Sequence, residues 1–280
     1  MTSNKQPDVM LIFDLDGVVV DPLSAKADQD VVRSMADELL QNRPEAVITG
    51  RNFEWVGEKF LPTLGKLVLP AEMANLYIVA EKSGVTAETQ DGQWRVTIDD
   101  RLIPPHEFKD KAQGLLTVDR GGWTLGDTMF WDAGKQTMVS IEKKPSVTLE
   151  EFKTPQQILK QELNNLLKAE GLLKEFHTDD TTIATDVEHV NATKYSGGKA
   201  VLGWLAERGV SPQSFVVFGD SDSDRKIAEA FSNHGHKTTF VFVGNPEALE
   251  ANQDEGYETV ITGGGYSKDT AAYLKNLKTN

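Results

Sequence analysis

Cysteine is absent from this chain of 280 residues, which removes disulfides, thiolate nucleophiles and cysteine-ligated metal centres from its chemistry. Long apolar runs are absent too. No stretch approaches the ~20 apolar residues of a membrane span, and the early run Val9 to Phe13 is far too short for the apolar region of a secretory leader. Basic residues are in deficit: 29 against 43 acidic ones give a formal net charge of -14, and no basic patch interrupts it. Such a surface repels a nucleic-acid backbone or an anionic membrane. These absences predict a soluble protein of the cytoplasm that binds neither; a monomer or homodimer is expected, and the sequence does not choose between them. What is present suffices for a packed core, since 39% of the residues are hydrophobic. The length fits one large domain or a core with an insertion.

The pattern of apolar residues changes along the chain. Val9-Met10-Leu11-Ile12-Phe13 is too short for a helix and reads as a buried parallel strand. Val31, Val32, Met35, Leu39 and Leu40 mark a helix, and Ala46-Val47-Ile48 a second strand running into Thr49-Gly50-Arg51. The last third repeats the theme. A helix through Val201, Leu202 and Leu205 precedes strand Phe215 to Phe218, helix Ile227 to Phe231, strand Phe240 to Val243, strand Thr259 to Thr262 and a helix near Ala271 to Leu277. This alternation predicts an α/β fold, a Rossmann-like doubly wound parallel sheet with ligands beyond the carboxyl ends of its strands. The middle differs, with Trp94 to Ile98, Pro104-Pro105, Met138 to Ile141, a helix around Ile158 to Leu167 and Thr181 to Ala184. It reads as an inserted α+β module over 101–187, between core segments 1–100 and 188–280. The first and last few residues are expected to be disordered.

Two acidic clusters follow apolar strands. In Phe13-Asp14-Leu15-Asp16-Gly17, carboxylates two positions apart share one face of the strand end. One of them can attack phosphorus while the other exchanges a proton with the leaving oxygen and then with water. The second cluster is Gly219-Asp220-Ser221-Asp222-Ser223-Asp224. Converging carboxylates suit a hard cation such as Mg²⁺, whereas solvated acidic turns are the plain alternative for each cluster alone. Thr49-Gly50-Arg51 offers a hydroxyl and backbone amides for phosphate oxygens, or is simply a turn.

In this order the three elements resemble the haloacid dehalogenase-like phosphatase superfamily, over both outer segments of the chain. The resemblance implies Asp14 as nucleophile and magnesium ligand, and Asp16 as general acid and base lending its main-chain carbonyl to the metal. It further implies Thr49 as phosphate binder beside Gly50 and Arg51, Asp220 as the principal metal ligand and Asp224 as the second. One motif departs. Related sequences read Lys-Gly-x-Ala-Leu or Lys-Gly-x-Ala-Val, whereas Gly197-Gly198-Lys199-Ala200-Val201 puts glycine where lysine is expected. A cation is still needed beside clustered aspartates and a phosphate. Lys199 and Lys194 can each supply it, with Lys199 the first choice.

The insertion resembles the α/β cap of Cof-like and sucrose- or trehalose-phosphate phosphatases. Ala80-Glu81-Lys82-Ser83-Gly84 is similar to an Ala-Glu-His-Gly stretch of the latter, and Glu142 with Lys144 to a cap element facing sugar hydroxyls. A surface strand of alternating charge is the preferred explanation of Glu142 and Lys144, and core packing of a small module explains Trp94, Trp123 and Trp131 as readily as stacking on a sugar face. The expected function is Mg²⁺-dependent hydrolysis of a small phosphorylated metabolite, a sugar or polyol phosphate, through an aspartyl-phosphate. A phosphomannomutase-like phosphotransferase and an inactive sugar-phosphate-binding protein remain the alternatives.

Overall fold

The computed structural model describes residues 7–249 and 256–277; the expectation for the chain termini falls on residues outside them. In chain order the strands and α-helices are β1 (Val9–Phe13), β2 (Val20–Asp21), β3 (Lys26–Ala27), α1 (Gln29–Leu40), β4 (Glu45–Ile48), α2 (Phe53–Lys59), α3 (Leu61–Leu64), β5 (Leu76–Ala80), β6 (Val85–Gln90) and β7 (Gln93–Ile98). There follow α4 (His106–Gly114), β8 (Met129–Trp131), β9 (Val139–Lys143), α5 (Leu149–Ala169), β10 (Phe176–Asp180) and β11 (Ala184–His189). The chain closes with α6 (Lys194–Glu207), β12 (Ser214–Gly219), α7 (Arg225–Asn233), β13 (Lys237–Phe242), β14 (Glu258–Ile261) and α8 (Ser267–Leu277). Two compact units result, Met1–Thr97 with Thr193–Asn280, and Ile98–Ala192.

The first unit is built on an eight-stranded sheet ordered β14-β13-β12-β1-β4-β5-β6-β7. The strands from β14 to β5 pair in parallel, and β6 turns antiparallel to β5. Alternation along β1 explains the two layers. Leu11 and Phe13 join a core with Val31, Val32, Met35 and Leu39 of α1, while Met10 and Ile12 face the other core with Val201 and Leu205 of α6 and Ile227 and Phe231 of α7. Helix α1 begins where Asp28 accepts hydrogen bonds from the amides of Asp30 and Val31, satisfying donors that a helix start leaves open. Because β12 and β4 flank β1 on opposite sides, the chain reverses its winding there, and the carboxyl end of β1 opens onto a crevice.

The second unit carries a four-stranded antiparallel sheet, β10-β11-β9-β8. Val139 and Ile141 on one face of β9 pack with Phe108 of α4 and with Phe152, Leu159, Leu163 and Leu167 of α5. Helix α5 starts at a capping box between Thr148 and Glu151.

Two local expectations are corrected. The strand over Trp94 to Ile98 is the edge of the large sheet, where the Trp94 ring meets Phe53 edge-on at 5.7 Å. Residues 181–183 are not strand but the connection between β10 and β11, closed by the Thr181 amide donating to the Ala184 carbonyl at 2.9 Å. Strands β5 and β6 carried no expectation: β6 alternates buried and half-exposed residues without an apolar run, whereas β5 is the buried apolar run Leu76 to Ala80, a signal that sequence reasoning passed over.

Candidate active site

The site begins with the register of two strands. Phe13 of β1 lies opposite Phe218 of β12, their rings stacked at 5.1 Å and 6° between planes, and the Asp14 amide donates to the Phe218 carbonyl at 3.0 Å. The carboxylates that follow, Asp14 and Asp220, thus leave neighbouring strand tips together. Beyond Asp14 the backbone folds back tightly, the amides of Val19 and Val20 donating to the Leu15 carbonyl at 3.0 and 2.8 Å. Gly17 sits in this turn at φ +74°, and a Cβ there would lie 2.2 Å from Asp220 Oδ2. Glycine is required both by the conformation and by the approach of the second acidic loop.

Asp224, on the turn Asp222–Asp224, is wholly buried. Its Oδ2 accepts from the amides of Asp220 and Ser221 at 3.1 and 3.0 Å and from the Ser221 hydroxyl at 2.8 Å. Its Oδ1 is ion-paired with Lys194, whose Nζ also stands 3.1 Å from Asp14 Oδ1. Lys194 opens α6, behind the capping residue Thr193, and is buried. Asp14, Asp220 and Asp224 each bring one carboxylate oxygen within 4.8 Å of the others.

This cluster holds more negative charge than one ammonium balances. Burial, opposed by Lys194 and reinforced by Asp224, Asp220 and Asp16, raises the Asp14 pKa well above its ordinary value. Burial and Asp224 push Asp220 up to about 7. For Lys194, burial favours the neutral amine, but Asp14 and Asp224 outweigh it and hold the ammonium form beyond its usual range. Three oxygen donors in an over-negative pocket fit a hard divalent cation such as Mg²⁺.

An unfolded Asp220 releases its proton near the ordinary pKa of about 4, whereas the native group keeps it to about 7. Between those values the native state binds the extra proton, so stability is lost as pH rises through the interval. Thermal melting in a chelator is expected to show this decline, and Asp220→Asn to flatten it. An unchanged slope in that variant would contradict the assignment.

The remaining expected residues divide. Thr49, buried at the end of β4, accepts from the Arg51 amide through Oγ1 at 3.1 Å. Gly50 leaves open space where a Cβ would stand. Arg51 forks onto Asp16, Nε to Oδ2 at 2.8 Å and Nη2 to Oδ1 at 3.1 Å. Lys199 is not brought to the cluster. It is exposed and its Nζ lies 5.6 Å from the Tyr195 ring centre. Five residues on from Lys194, it stands about 140° around the helix, so both lysines cannot point to one place. Glu142 and Lys144 belong to the second unit. Glu142 lies on the face of β9 opposite Val139 and Ile141, and Lys144 donates through Nζ to the Gly126 carbonyl. Sequence reasoning passed over Trp55, whose ring centre lies 4.8 Å from Arg51 Cζ, and Asn52, which caps α2 through the Trp55 amide at 2.7 Å. An Asn followed by a helical stretch was the available signal.

A doubly wound sheet with carboxylates converging at its switch point defines an α/β protein with an acidic cation-type site. No family model matches the sequence, and no curated protein does. Among solved structures the chain is similar to trehalose-6-phosphate phosphatase of Aspergillus fumigatus (TM-score 0.54, 15% identity, covering 98% of this chain and 93% of that one). It is also similar to the sucrose-phosphatase of Synechocystis sp. in complex with sucrose and phosphate (0.52, 16%, 96% and 98%). A haloacid dehalogenase-like hydrolase from Bacteroides thetaiotaomicron gives 0.57 at 10% identity over 98% and 100%. The fold of this chain is that of the haloacid dehalogenase-like hydrolases.

Proposed function

We propose that this protein is a Mg²⁺-dependent phosphomonoester hydrolase acting on a small phosphorylated sugar or polyol. The observation that carries the reading is the gathering of Asp14, Asp220, Asp224 and Lys194, drawn from distant parts of the chain, at the tips of β1 and β12. Mg²⁺ would be held by Asp14 and Asp220, with Asp224 and the Asp16 main-chain carbonyl beside them, and would supply positive charge against the phosphoryl oxygens.

In this reading an Asp14 carboxylate oxygen attacks phosphorus, and the bond from phosphorus to the substrate oxygen breaks as Asp16 protonates that oxygen. Asp16 then takes a proton from water, whose oxygen attacks phosphorus and breaks the bond to Asp14, releasing phosphate. Lys194 balances charge on Asp14 throughout, and Thr49 with Gly50 receives phosphate oxygens. Asp224 acts mainly by anchoring Lys194 and the loop bearing Asp220, since both its oxygens already accept bonds. Sugar phosphates are favoured by the two sugar-phosphate phosphatases among the similar structures and by Ala80 to Gly84. Ile98–Ala192 serves in this proposal as the specificity module, with Glu142 as a sugar-hydroxyl contact and Lys144 as its weaker companion.

The test is a panel of sugar phosphates, polyol phosphates and nucleoside monophosphates, assayed for inorganic phosphate with and without magnesium. Release that needs magnesium and prefers sugar esters is expected. Nucleotide preference would overturn the substrate class, phosphate transfer to a second sugar without release would favour the mutase alternative, and silence across the panel would refute the enzyme.

A further inference from the structure

Arg51 stands in the segment expected to hold phosphate, yet its guanidinium is directed elsewhere. Both oxygens of Asp16 are taken by its fork, at 2.8 and 3.1 Å, across 35 residues of sequence. We infer that Arg51 is a positioning residue that fixes the Asp16 carboxylate for proton transfer, and not a phosphate ligand. The inference rests on the role proposed above for Asp16.

Asp16 needs such a partner. Its side chain is 44% exposed, so packing does not select one rotamer, whereas proton transfer in line with a breaking bond demands a fixed donor. A guanidinium supplies two parallel donors that set both the position and the plane of a carboxylate; an ammonium is a point charge and sets neither.

Arg51 is itself held from several sides. Its guanidinium lies over the Trp55 ring, and Trp55 is fixed in the first turn of α2, where its backbone amide donates a hydrogen bond to Asn52 Oδ1. Its backbone amide donates to Thr49 Oγ1 at 3.1 Å, and its carbonyl accepts from the Glu81 amide at 3.0 Å. The next amide, Lys82, donates to the Thr49 carbonyl at 2.9 Å. Glu81 and Lys82 both adopt left-handed backbone, φ 49° and 62°. For residues with side chains this conformation is strained and persists only where the surroundings enforce it. Enforcement comes from α6, where the missing Cβ of Gly197 would lie 2.5 Å from the Lys82 carbonyl oxygen. The strained turn therefore clasps the Thr49–Arg51 segment, and through it the orientation of the fork. Nε and Nη2 are both directed at Asp16 while the guanidinium lies over Trp55, so a phosphate contact through either of these nitrogens would break the fork.

The two roles separate by leaving group. A sugar phosphate leaves as an alkoxide that must be protonated; 4-nitrophenyl phosphate leaves as a stable phenolate that need not be. Every phosphate ester shares the phosphate group itself. Arg51→Ala and Arg51→Lys are expected to lower kcat/KM for the preferred alkyl phosphate about tenfold to a hundredfold, part of the ~10²–10⁴ that general acid–base catalysis contributes. They should lower it several-fold less for 4-nitrophenyl phosphate and leave inhibition by inorganic phosphate unchanged. In an Asp16→Asn background, Arg51→Ala should add almost nothing, because the two residues act as one unit. Equal losses on both esters, weakened inhibition by phosphate, or a full additive loss in that background each overturns the inference. Hydrolysis intact in both Arg51 variants overturns it alone, whereas a wild-type chain without hydrolysis, or hydrolysis surviving Asp14→Asn, overturns the hydrolase reading as well.

Discussion

Asp14→Asn is expected to reduce phosphate release by several orders of magnitude while leaving the protein folded. An amide has the shape of the carboxylate and lacks its nucleophilic oxygen, so no phosphoryl-enzyme forms, and losses of a nucleophile are of this size because the residual rate comes from binding and electrostatics alone. Folding should not suffer. Asp14 is buried, and Asp220 and Asp224 raise its pKa further, so removing its charge relieves repulsion. Lys194 keeps Asp224 as partner. Thermal melting of the metal-free variant should match or exceed that of the parent, and a variant that melts early would show its inactivity to be structural. Near-parental hydrolysis in a well-folded variant would remove Asp14 from the role of nucleophile.

Lys194→Met is expected to damage both activity and stability, and here the two effects share one cause. The ammonium stands between Asp14 and Asp224 in a buried pocket. Deleting one partner of a buried ionic group leaves charge uncompensated, at a cost of about 3–5 kcal/mol where the partners stay ionised. Removing one preorganised cationic contact costs about 10²–10³ in kcat. Stability should recover in part at lower pH, since Asp14 and Asp220 then hold protons and need no partner. Lys199→Met is the control. An exposed substitution of this kind shifts stability by no more than about 0.5 kcal/mol, and activity should be unaffected. Melting curves and phosphate release for the pair decide the matter: a severe Lys199 variant beside a mild Lys194 variant would reverse the assignment.

Much of the first unit was legible because its strands are buried on both faces. Val9 to Phe13 and Phe215 to Phe218 are uninterrupted apolar runs that end in acid, and that junction marks a strand tip whatever its neighbours are. Strands β6 and β7, exposed along one face or more, lack such runs, whereas β5 carries one, Leu76 to Ala80, that ends in no acidic cluster of the kind that marked the others. Trp94 shows the difficulty: a tryptophan on an edge strand of the large sheet has the same local sequence signature as one in a small inserted module.

Charge type and spacing on the strand ends were determined by the sequence alone: carboxylates at 14 and 16, a second set at 220 and 224, and no cysteine to serve instead. Tertiary structure decided which of these groups meet, and which cation meets them. Asp14 and Asp220 become neighbours only when β1 and β12 pair in register, a contact between segments some 200 residues apart that leaves no trace in either. Lys194 and Lys199 lie on one helix with similar claims, and the helical phase turned one inward to the carboxylates and the other out to solvent.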